Sequence, residues 1–528
     1  MIDEHFDDSL AERQTHHETG ERFTEGGQVL RAHIFCIITC TVLTRIDWCD
    51  VARVTINTLP DVALLEIFDF YLVSGLVTQW HALVHVCRKW RNIVFGSPNR
   101  LELRLYCEPG TPVRETIDVW PLLPISVDSG DLGCLEKWGV DNIVAALERN
   151  DRICDFSLVD SSSSHLGKVA EVMQQPFPAL TSLQLALEDG RVLPVVVPDS
   201  FLGGSAPRLQ VLFLDCIPFP GLPKLLLSAT HLVDLELRRI PHSGYISPDA
   251  MVTGLSALTR LERLIIAFDS PRCRPDRKRR RPPPQARTLL PYLTQLQFSG
   301  ADKYLEDLVA QIDAPLLGLL AVSFFHKLIF DAPHWQLAEF ISRTPTFKIP
   351  DEALVVFSNS RVWVLISQPS DGWLCFEISC RQSDWQLSSL AQFCCSAFFQ
   401  ALIPAIEHLY ILEDNFSRPH WQDDIESSQW LELLHLFTAV KGLYISRESI
   451  PRIEPALQEL IGESALEVLP ALKTLFLDGE PPSGSVQESI GQFVAARHRA
   501  GHPVAVSRWP DTGKKWSVEM LMVHSLIW

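Results

Sequence analysis

The chain has 528 residues, 47% of them hydrophobic and 21% charged, which is ordinary globular usage with length for more than one domain. Its formal net charge of −18 argues against a dedicated nucleic-acid binder, whose affinity rests on neutralising phosphates with Lys and Arg. The 13 cysteines are scattered and form no Cys-x-x-Cys pair, so neither a disulfide framework nor a zinc site is expected, and the pattern suits a reduced, intracellular protein in the cytoplasm, the nucleus or both.

Residues 1–50 read as a disordered arm, polar over its first 28 residues. It contains an apolar run, His33 to Leu43, about half the length that a membrane span needs. Asp3, Glu4, Asp7 and Asp8 make the region before it acidic, whereas a signal peptide wants it basic. A buried local segment, a signal anchor and a stretch foreign to the native coding sequence all remain open for it; no membrane partner is expected.

Residues 55–98 read as a small all-α module. Pro60 suits a first helical turn, where its missing N–H would be unpaired anyway, and Asp61 complements the positive end of the helix dipole. Leu64, Leu65, Phe68 and Leu72 recur at three- and four-residue spacing and build one apolar stripe. A second helix is predicted from about Trp80 to Val94, ended by Gly96-Ser97-Pro98. Leu59-Pro60-Asp61, the Leu64-to-Phe68 helix and the Val86-Cys87-Arg88-Lys89-Trp90 block resemble the F-box, over about forty residues. The resemblance implies insertion into the Skp adaptor of a cullin–RING ubiquitin ligase through Leu59, Pro60, Leu64, Leu65, Phe68, Val86, Cys87 and Trp90. The linker from Val73 to His81 departs from the family by being longer and more polar. An ordinary helical hairpin with Trp90 as core is the competing reading.

Leu101 to Leu105 alternates apolar and polar residues as a half-buried strand does. It lies in a segment, 99–134, that otherwise reads as an irregular Pro-rich joint anchored at Trp120-Pro121-Leu122. From about residue 135 to 510 a Leu-x-x-Leu-x-Leu phrase returns, as Ile153/Phe156/Leu158, Leu180/Leu183/Leu185, Leu209/Leu212/Leu214, Leu232/Leu235/Leu237, Leu261/Leu264/Ile266, Leu293/Leu296/Phe298 and Leu317/Leu320/Val322. It resumes as Ile406/Leu409/Ile411, Val440/Leu443/Ile445 and Leu472/Leu475/Leu477. Outside one gap the phrases fall about 23 to 34 residues apart, near the period of leucine-rich repeats. Pro-containing lead-ins such as Phe177-Pro-Ala-Leu180 and Leu469-Pro-Ala-Leu472 recur with them. The expected fold is therefore α/β: a leucine-rich-repeat solenoid of short parallel strands and helices, preceded by the all-α module. A doubly wound α/β domain also alternates strands and helices, but it needs no such phrase and usually shows a Gly-rich turn, which is absent.

Residues 324–404 break the repeat. Ala353–Phe357 and Arg361–Ile366 read as a hairpin turning at Ser358-Asn359-Ser360, with a further strand near Leu374–Ser379; irregular repeats and an inserted sheet are both compatible with this. Residues 511–528 form a tail. The order of an F-box and irregular repeats, with stretches such as Pro194 to Leu227, Ile240 to Pro248 and Asp384 to Ala391, resembles a large group of fungal F-box proteins and implies a substrate receptor with an unidentified protein target.

No Gly-x-Ser-x-Gly elbow, phosphate-cradling glycine loop or His-Glu-x-x-His is present, so no catalytic residue and no cofactor is expected. His420, Asp423, Asp424 and Glu426 read as a solvated acidic loop rather than a metal site, and Cys394-Cys395 as core. Arg277, Lys278, Arg279, Arg280 and Arg281 interrupt the repeats as a solvated loop, a nuclear import signal or a contact for an acidic partner. In a Leu-x-Leu strand the middle residue faces away from the leucines. That puts Gln184, Phe213, Glu236, Ile265 and Gln297, then Tyr410, Tyr444 and Phe476, on a concave face. The three late aromatics, with Phe213 and Glu236, are the candidate target-binding residues. The alternative is that residues 486–498 fold over the aromatics as a cap.

Overall fold

The computed structural model describes residues 59–73, 83, 86–96, 103–107, 112–120, 122–128, 139–160, 163–187, 195–270, 286–324, 335–347, 350–367, 372–379, 384–395, 402–414, 418–419, 421, 427–461, 466–479 and 484–509. The arm with its apolar run, the basic run Arg277–Arg281, the acidic residues around His420 and the C-terminal tail lie outside them. The chain divides into two compact units, Met1–Leu101 and Glu102–Trp528.

In the first unit, α1 (Asp61–Val73) and α2 (Arg88–Gly96) pack as a pair. Leu64 and Phe68 are buried on α1, and Phe68 meets the Trp90 ring at 4.7 Å between centroids. Leu83 and Val86 are helical but Cys87 is not, so the single helix expected from 80 to 94 is interrupted there. Cys87 sits where an N-cap would: its carbonyl accepts from Arg91 N–H and its Sγ, at 3.5 Å, from Trp90 N–H. Lys89 Nζ ties the pair together, donating to the Leu59 carbonyl at 2.9 Å and lying 3.5 Å from the Asp61 carboxylate.

The second unit is built on one mixed but largely parallel sheet. In chain order its strands are β1 (Leu103–Tyr106), β2 (Ile125–Asp128), β3 (Ile153–Asp160), β4 (Ser182–Leu187), β5 (Val211–Asp215), β6 (Asp234–Ile240), β7 (Arg263–Phe268) and β8 (Gln295–Gly300). There follow β9 (Leu319–Phe324), β10 (Glu352–Phe357), β11 (Arg361–Ser367), β12 (Trp373–Ser379), β13 (His408–Glu413), β14 (Gly442–Ile445), β15 (Thr474–Leu477) and β16 (Ala505–Arg508). Each repeat starts the same way. A tight turn delivers the first leucine of the phrase, with Leu180 N–H donating to Phe177, Leu209 to Ala206, Leu317 to Ala314 and Leu472 to Leu469. The next residue then donates to the equivalent position one repeat back: Thr181 to Cys154, Gln210 to Thr181, Val233 to Gln210 and Glu262 to Val233. The phrase leucines Leu183, Leu212, Leu235, Leu264, Leu296, Leu320, Leu409, Leu443 and Leu475 are all buried. Removing each from water contributes about 2 kcal/mol, which a single repeat could not achieve alone.

The connecting helices are α3 (Val113–Val119), α4 (Val140–Leu147), α5 (Ser163–Val172), α6 (Leu222–Leu226), α7 (Pro248–Leu255), α8 (Asp302–Val309), α9 (Trp335–Arg343), α10 (Asp384–Cys394), α11 (Ser427–His435), α12 (Ile450–Glu459) and α13 (Ser485–Arg499). Those expected at 166–174, 247–258, 304–312 and 430–437 are present, each starting one to three residues off or ending earlier. Sequential helices pack on one another, α6 on α7, α7 on α8, α11 on α12 and α12 on α13. Ser247 caps α7, its Oγ accepting from Ala250 N–H, with Pro248 in the first turn. The result is a mixed α/β chain with a large parallel-strand sheet, consistent with a leucine-rich-repeat solenoid.

Two features differ from expectation. Residues 99–134, read as an irregular joint, carry β1, α3 and β2, and β1 and β2 pair in parallel as the first strands of the sheet. The strand expected at Leu101 to Leu105 is β1; the Leu-x-x-Leu-x-Leu phrase is missing from the rest, so α3 and β2 were not marked. Of the two readings left open for 324–404, irregular repeats and an inserted sheet, the described strands follow the second, except that the insertion is part of the main sheet. β10, β11 and β12 join the main sheet in reverse order: β9 pairs with β12, β12 with β11, β11 with β10, and β10 with β13. Among the described strands of the sheet β11 alone runs antiparallel, and Ser358 N–H donates to the Arg361 carbonyl to close the expected hairpin turn.

Candidate protein-interaction surface

Because strand side chains alternate, the face of the sheet opposite the phrase leucines collects the middle residues. The register puts them in a single row: Gln184, Phe213, Glu236, Ile265 and Gln297 on β4 to β8, Ala321 on β9, then Cys375, Leu365 and Leu354 on the reversed strands, then Tyr410, Tyr444 and Phe476. All eight residues read from the phrase thus share one row, although β9 to β12 separate the early set from the late one.

The early half of this open face is ionic. Glu236 is buried and held by Arg238 Nε at 3.0 Å and by Arg263, which also grips Asp234 at 2.7 Å. The Arg238 guanidinium lies 5.8 Å from the centroid of the half-buried Phe213 ring. Arg239, at φ +44° where β6 slips register, reaches across to Asp215 at 2.6 Å and to the Leu187 carbonyl at 2.9 Å. Burial raises the Asp234 carboxyl above its ordinary range despite the pull of Arg263, and lowers Arg238 despite Asp215 and Asp234. Charges satisfied by one another this closely have little left to offer a partner.

The late half is apolar and aromatic. Ala321, Leu354, Trp363, Leu365, Cys375 and Tyr410 form one buried cluster, against which Val356, Leu412, Tyr444 and Trp509 pack. Tyr410, Tyr444 and Phe476 stack as a ladder, with centroids 4.1 Å apart at 15° and then 4.3 Å apart at 5°. Gly442 permits it, since a Cβ there would stand 2.8 Å from His408 Nδ1 and 3.1 Å from the Tyr444 ring. The hydroxyl of Tyr410, 3.4 Å from Glu352, sits at the polar edge of an otherwise apolar stack. Burial and that carboxylate push the Tyr410 phenol well above its usual range, and burial raises Tyr444 also, so both rings stay neutral.

The cap considered from the sequence is not formed by residues 486–498. α13 packs beside α12, with Ser489 and Gln458 hydrogen-bonded at 2.6 Å, in the helical layer. The residue that does meet the ladder is Trp509, just past β16, at 5.7 Å from Tyr410 and 5.5 Å from Tyr444. It covers one side of the ladder and leaves Tyr444 and Phe476 half-exposed. Trp509, Trp363, Leu354 and Leu365 escaped the sequence reading. The hairpin holding the last three was legible, but without the leucine phrase nothing said which of its faces was which.

On the helical pair, Pro60 and Val86 are exposed, Leu59, Leu65, Cys87 and Trp90 half-buried, and Leu64 and Phe68 buried. Exposed Val62 adds a further apolar side chain beside Pro60. Cys394 is buried as expected but Cys395 is exposed. Trp120 is buried whereas Leu122, read as part of the same anchor, is exposed. Among the described residues no cluster of His, Cys, Asp and Glu could hold a metal, and no helix is long and apolar enough to cross a membrane.

Comparison with protein families returns no match, and no curated protein matches the sequence. Among solved structures the chain is similar to the leucine-rich repeat-containing protein LegL7 from Legionella pneumophila, at 11% identity over 74% of this chain and 97% of that one. The TM-score of 0.27 is too low for that likeness to carry any argument.

Proposed function

We propose that this chain is a non-catalytic substrate-recognition subunit of a Skp–cullin–F-box type ubiquitin ligase. The repeat face holds an unidentified protein target, and the helical pair holds the Skp adaptor and through it the cullin–RING ligase. The observation that carries the target half is the stack of buried Tyr410 with half-exposed Tyr444 and Phe476 beside an apolar cluster, since rigid aromatics are the residues that dominate protein interfaces. The adaptor half is supported by the F-box resemblance and by the exposure of Pro60 and Val86 and the half-burial of Leu59 and Leu65. Such a receptor works in the cytoplasm, the nucleus or both, takes no cofactor and binds neither nucleic acid nor membrane.

A second reading, a leucine-rich-repeat interaction scaffold without a ligase role, is favoured by the burial of Leu64 and Phe68 and the packing of Trp90 on Phe68, which use the motif's largest side chains internally. The two readings separate in one experiment. Full-length chain and a Pro60→Ala/Val86→Asp variant, both of whose sites are exposed, are passed over immobilised Skp adaptor. Retention of the parent and loss of the variant support the receptor; equal failure of both leaves the scaffold.

A further inference from the structure

Tall apolar side chains stand on the open face where β10 to β13 meet. Trp363 of β11 lies between Val356 of β10 and Glu377 of β12, with Leu412 of β13 next in the same row. Leu354, Leu365 and Tyr410 form the row beside it. On a bare sheet face, strands about 4.8 Å apart screen the flanks of a tryptophan and nothing screens its top. Trp363 is nevertheless only 7% exposed, and Leu354 only 1%. The helices do not account for this. α10 lies against the other side of these strands, where Phe393 meets Phe376 at 5.3 Å and Phe376 is in register with Val322 of the leucine phrase. Among the described residues, the side chains packed on the cluster are Val356, Leu412 and Tyr444, which stand in the same face, and Trp509. One indole reaching in from beyond β16 is too small a roof for four strands.

The path of the chain names what completes the roof. Trp509 is the last described residue, and its ring already lies 5.5 Å from Tyr444 and 5.7 Å from Tyr410, on the open side of the sheet. Pro510-Asp511-Thr512-Gly513 follows, residues that favour a reversal, and then Lys514 and Lys515. From Trp516 to Trp528 nine of thirteen residues are apolar and Glu519 is the only charged side chain. A stretch of that make-up leaves water for any apolar surface within reach. This surface is within reach: the six inter-strand steps from β16 to β12 make about 29 Å, and nineteen extended residues span about 60 Å. Charge or tether rules against other segments outside the described residues. Residues 271–285 are strongly basic, those around His420 are acidic, and 325–334 must lead from β9 to α9 in the helical layer.

We infer that residues 516–528 dock in cis on the apolar half of the open face and roof Trp363, Leu354 and Leu365. The docking stands on burial and chain path; its consequence rests on the reading of this face as the target surface. The tail holds ground that a target uses, and a target binds there by displacing it.

The test places the photo-cross-linker p-benzoylphenylalanine at position 516 or, separately, at position 521 of the full-length chain, and reads the cross-linked residues in the monomer by mass spectrometry. Both positions are expected to mark β10, β11 and β13. Cross-links confined to the helical layer or to a second copy, or none from either position, overturn the docking. The same probe at position 37, in the apolar run of the arm, tests the other candidate: marks on these strands from 37 and not from 516 or 521 overturn the inference in favour of the arm. A second measurement separates docking from competition. A fluorescein-labelled peptide of residues 514–528 is titrated by anisotropy into the full-length parent and into a Val518→Asp/Leu521→Asp/Ile527→Asp variant, whose tail no longer suits an apolar surface. The variant is expected to bind about tenfold more tightly, as a face nine-tenths occupied in the parent requires. Equal binding by both chains overturns self-occupancy. Cross-links to the face without peptide binding by the variant leave the docking standing and tell against the face as a surface for a separate partner.

Discussion

The rings of Tyr410 and Tyr444 lie 4.1 Å apart and 15° from parallel on neighbouring strands, with their hydroxyls hydrogen-bonded to one another. Tyr444 is the middle rung, since Phe476 stacks on its other face. Tyr444→Ala therefore removes both stacking contacts of the ladder together with the edge contact to Trp509, each worth about 0.5 to 1.5 kcal/mol beyond the area buried. Solenoid stability is a sum over neighbouring repeats, so the loss stays local. Hydrogen exchange is expected to speed up in β14 to β16 and to be unchanged in β4 to β7.

Gly372 opens β12, and a Cβ there would run into the backbone carbonyl of Thr346. Backbone cannot move aside as a side chain can. Gly372→Ala should destabilise by about 1 to 3 kcal/mol, read as a lower urea midpoint. At Gly484, by contrast, the space is open but φ is +73°, so alanine there is strained without any clash.

Arg497 on α13 is wholly buried, and its guanidinium donates to the carbonyls of Leu469, at 3.0 Å, and Pro470, at 3.4 Å. Leu469 holds φ +49°, an unfavourable geometry for leucine, at the turn that launches β15. The arginine pins this turn from behind. Arg497→Met loses charge-assisted hydrogen bonds and should cost about 2 kcal/mol, with the drop in protection concentrated on residues 469–477 in hydrogen exchange.

Burial pushes the thiols of Cys107 and Cys375 up to about 12. At pH 8 the thiolate is then about one part in ten thousand, so iodoacetamide should spare both in the native protein and label them on unfolding, as site-resolved mass spectrometry would show. The same shift has a consequence for stability. The folded thiol holds its proton more tightly than the unfolded one, so its contribution is complete below about pH 8.5 and is lost as pH climbs from there towards 12. Alkaline unfolding should come at higher pH in Cys375→Ser only if the cost of a buried hydroxyl stays small.

What was legible in the sequence was whatever repeats. Leu183, Leu212, Leu235 and their successors announced the strands, and the residues between them announced the open face, because alternation leaves no choice once the buried leucines are known. Leu103 lies in a strand that its alternation announced, whereas Ile125 begins a strand of the same sheet that belongs to no phrase, so β2 passed for a joint. Leu354 and Leu365 face their neighbours across an antiparallel pair, and pairing of that kind follows from strand order, which no local pattern encodes. Trp509 is the plainest case, a single ring that follows the last strand and finds its partners two and three strands away. Contacts between distant positions leave no period behind them.

The reversed order of β10, β11 and β12 also bears on how the molecule comes into being. In an unbroken solenoid each new strand lands beside the one just laid down, and assembly zips along from any starting point. Here β10 follows β9 in the chain but lies three places away, and β9 gains its outer neighbour only when β12 arrives about fifty residues later. Zipping from the first repeats must stall at β9, and zipping from the last repeats must stall at β13. Residues 350–379 are the keystone, and the two arms grow as independent nuclei until it is set.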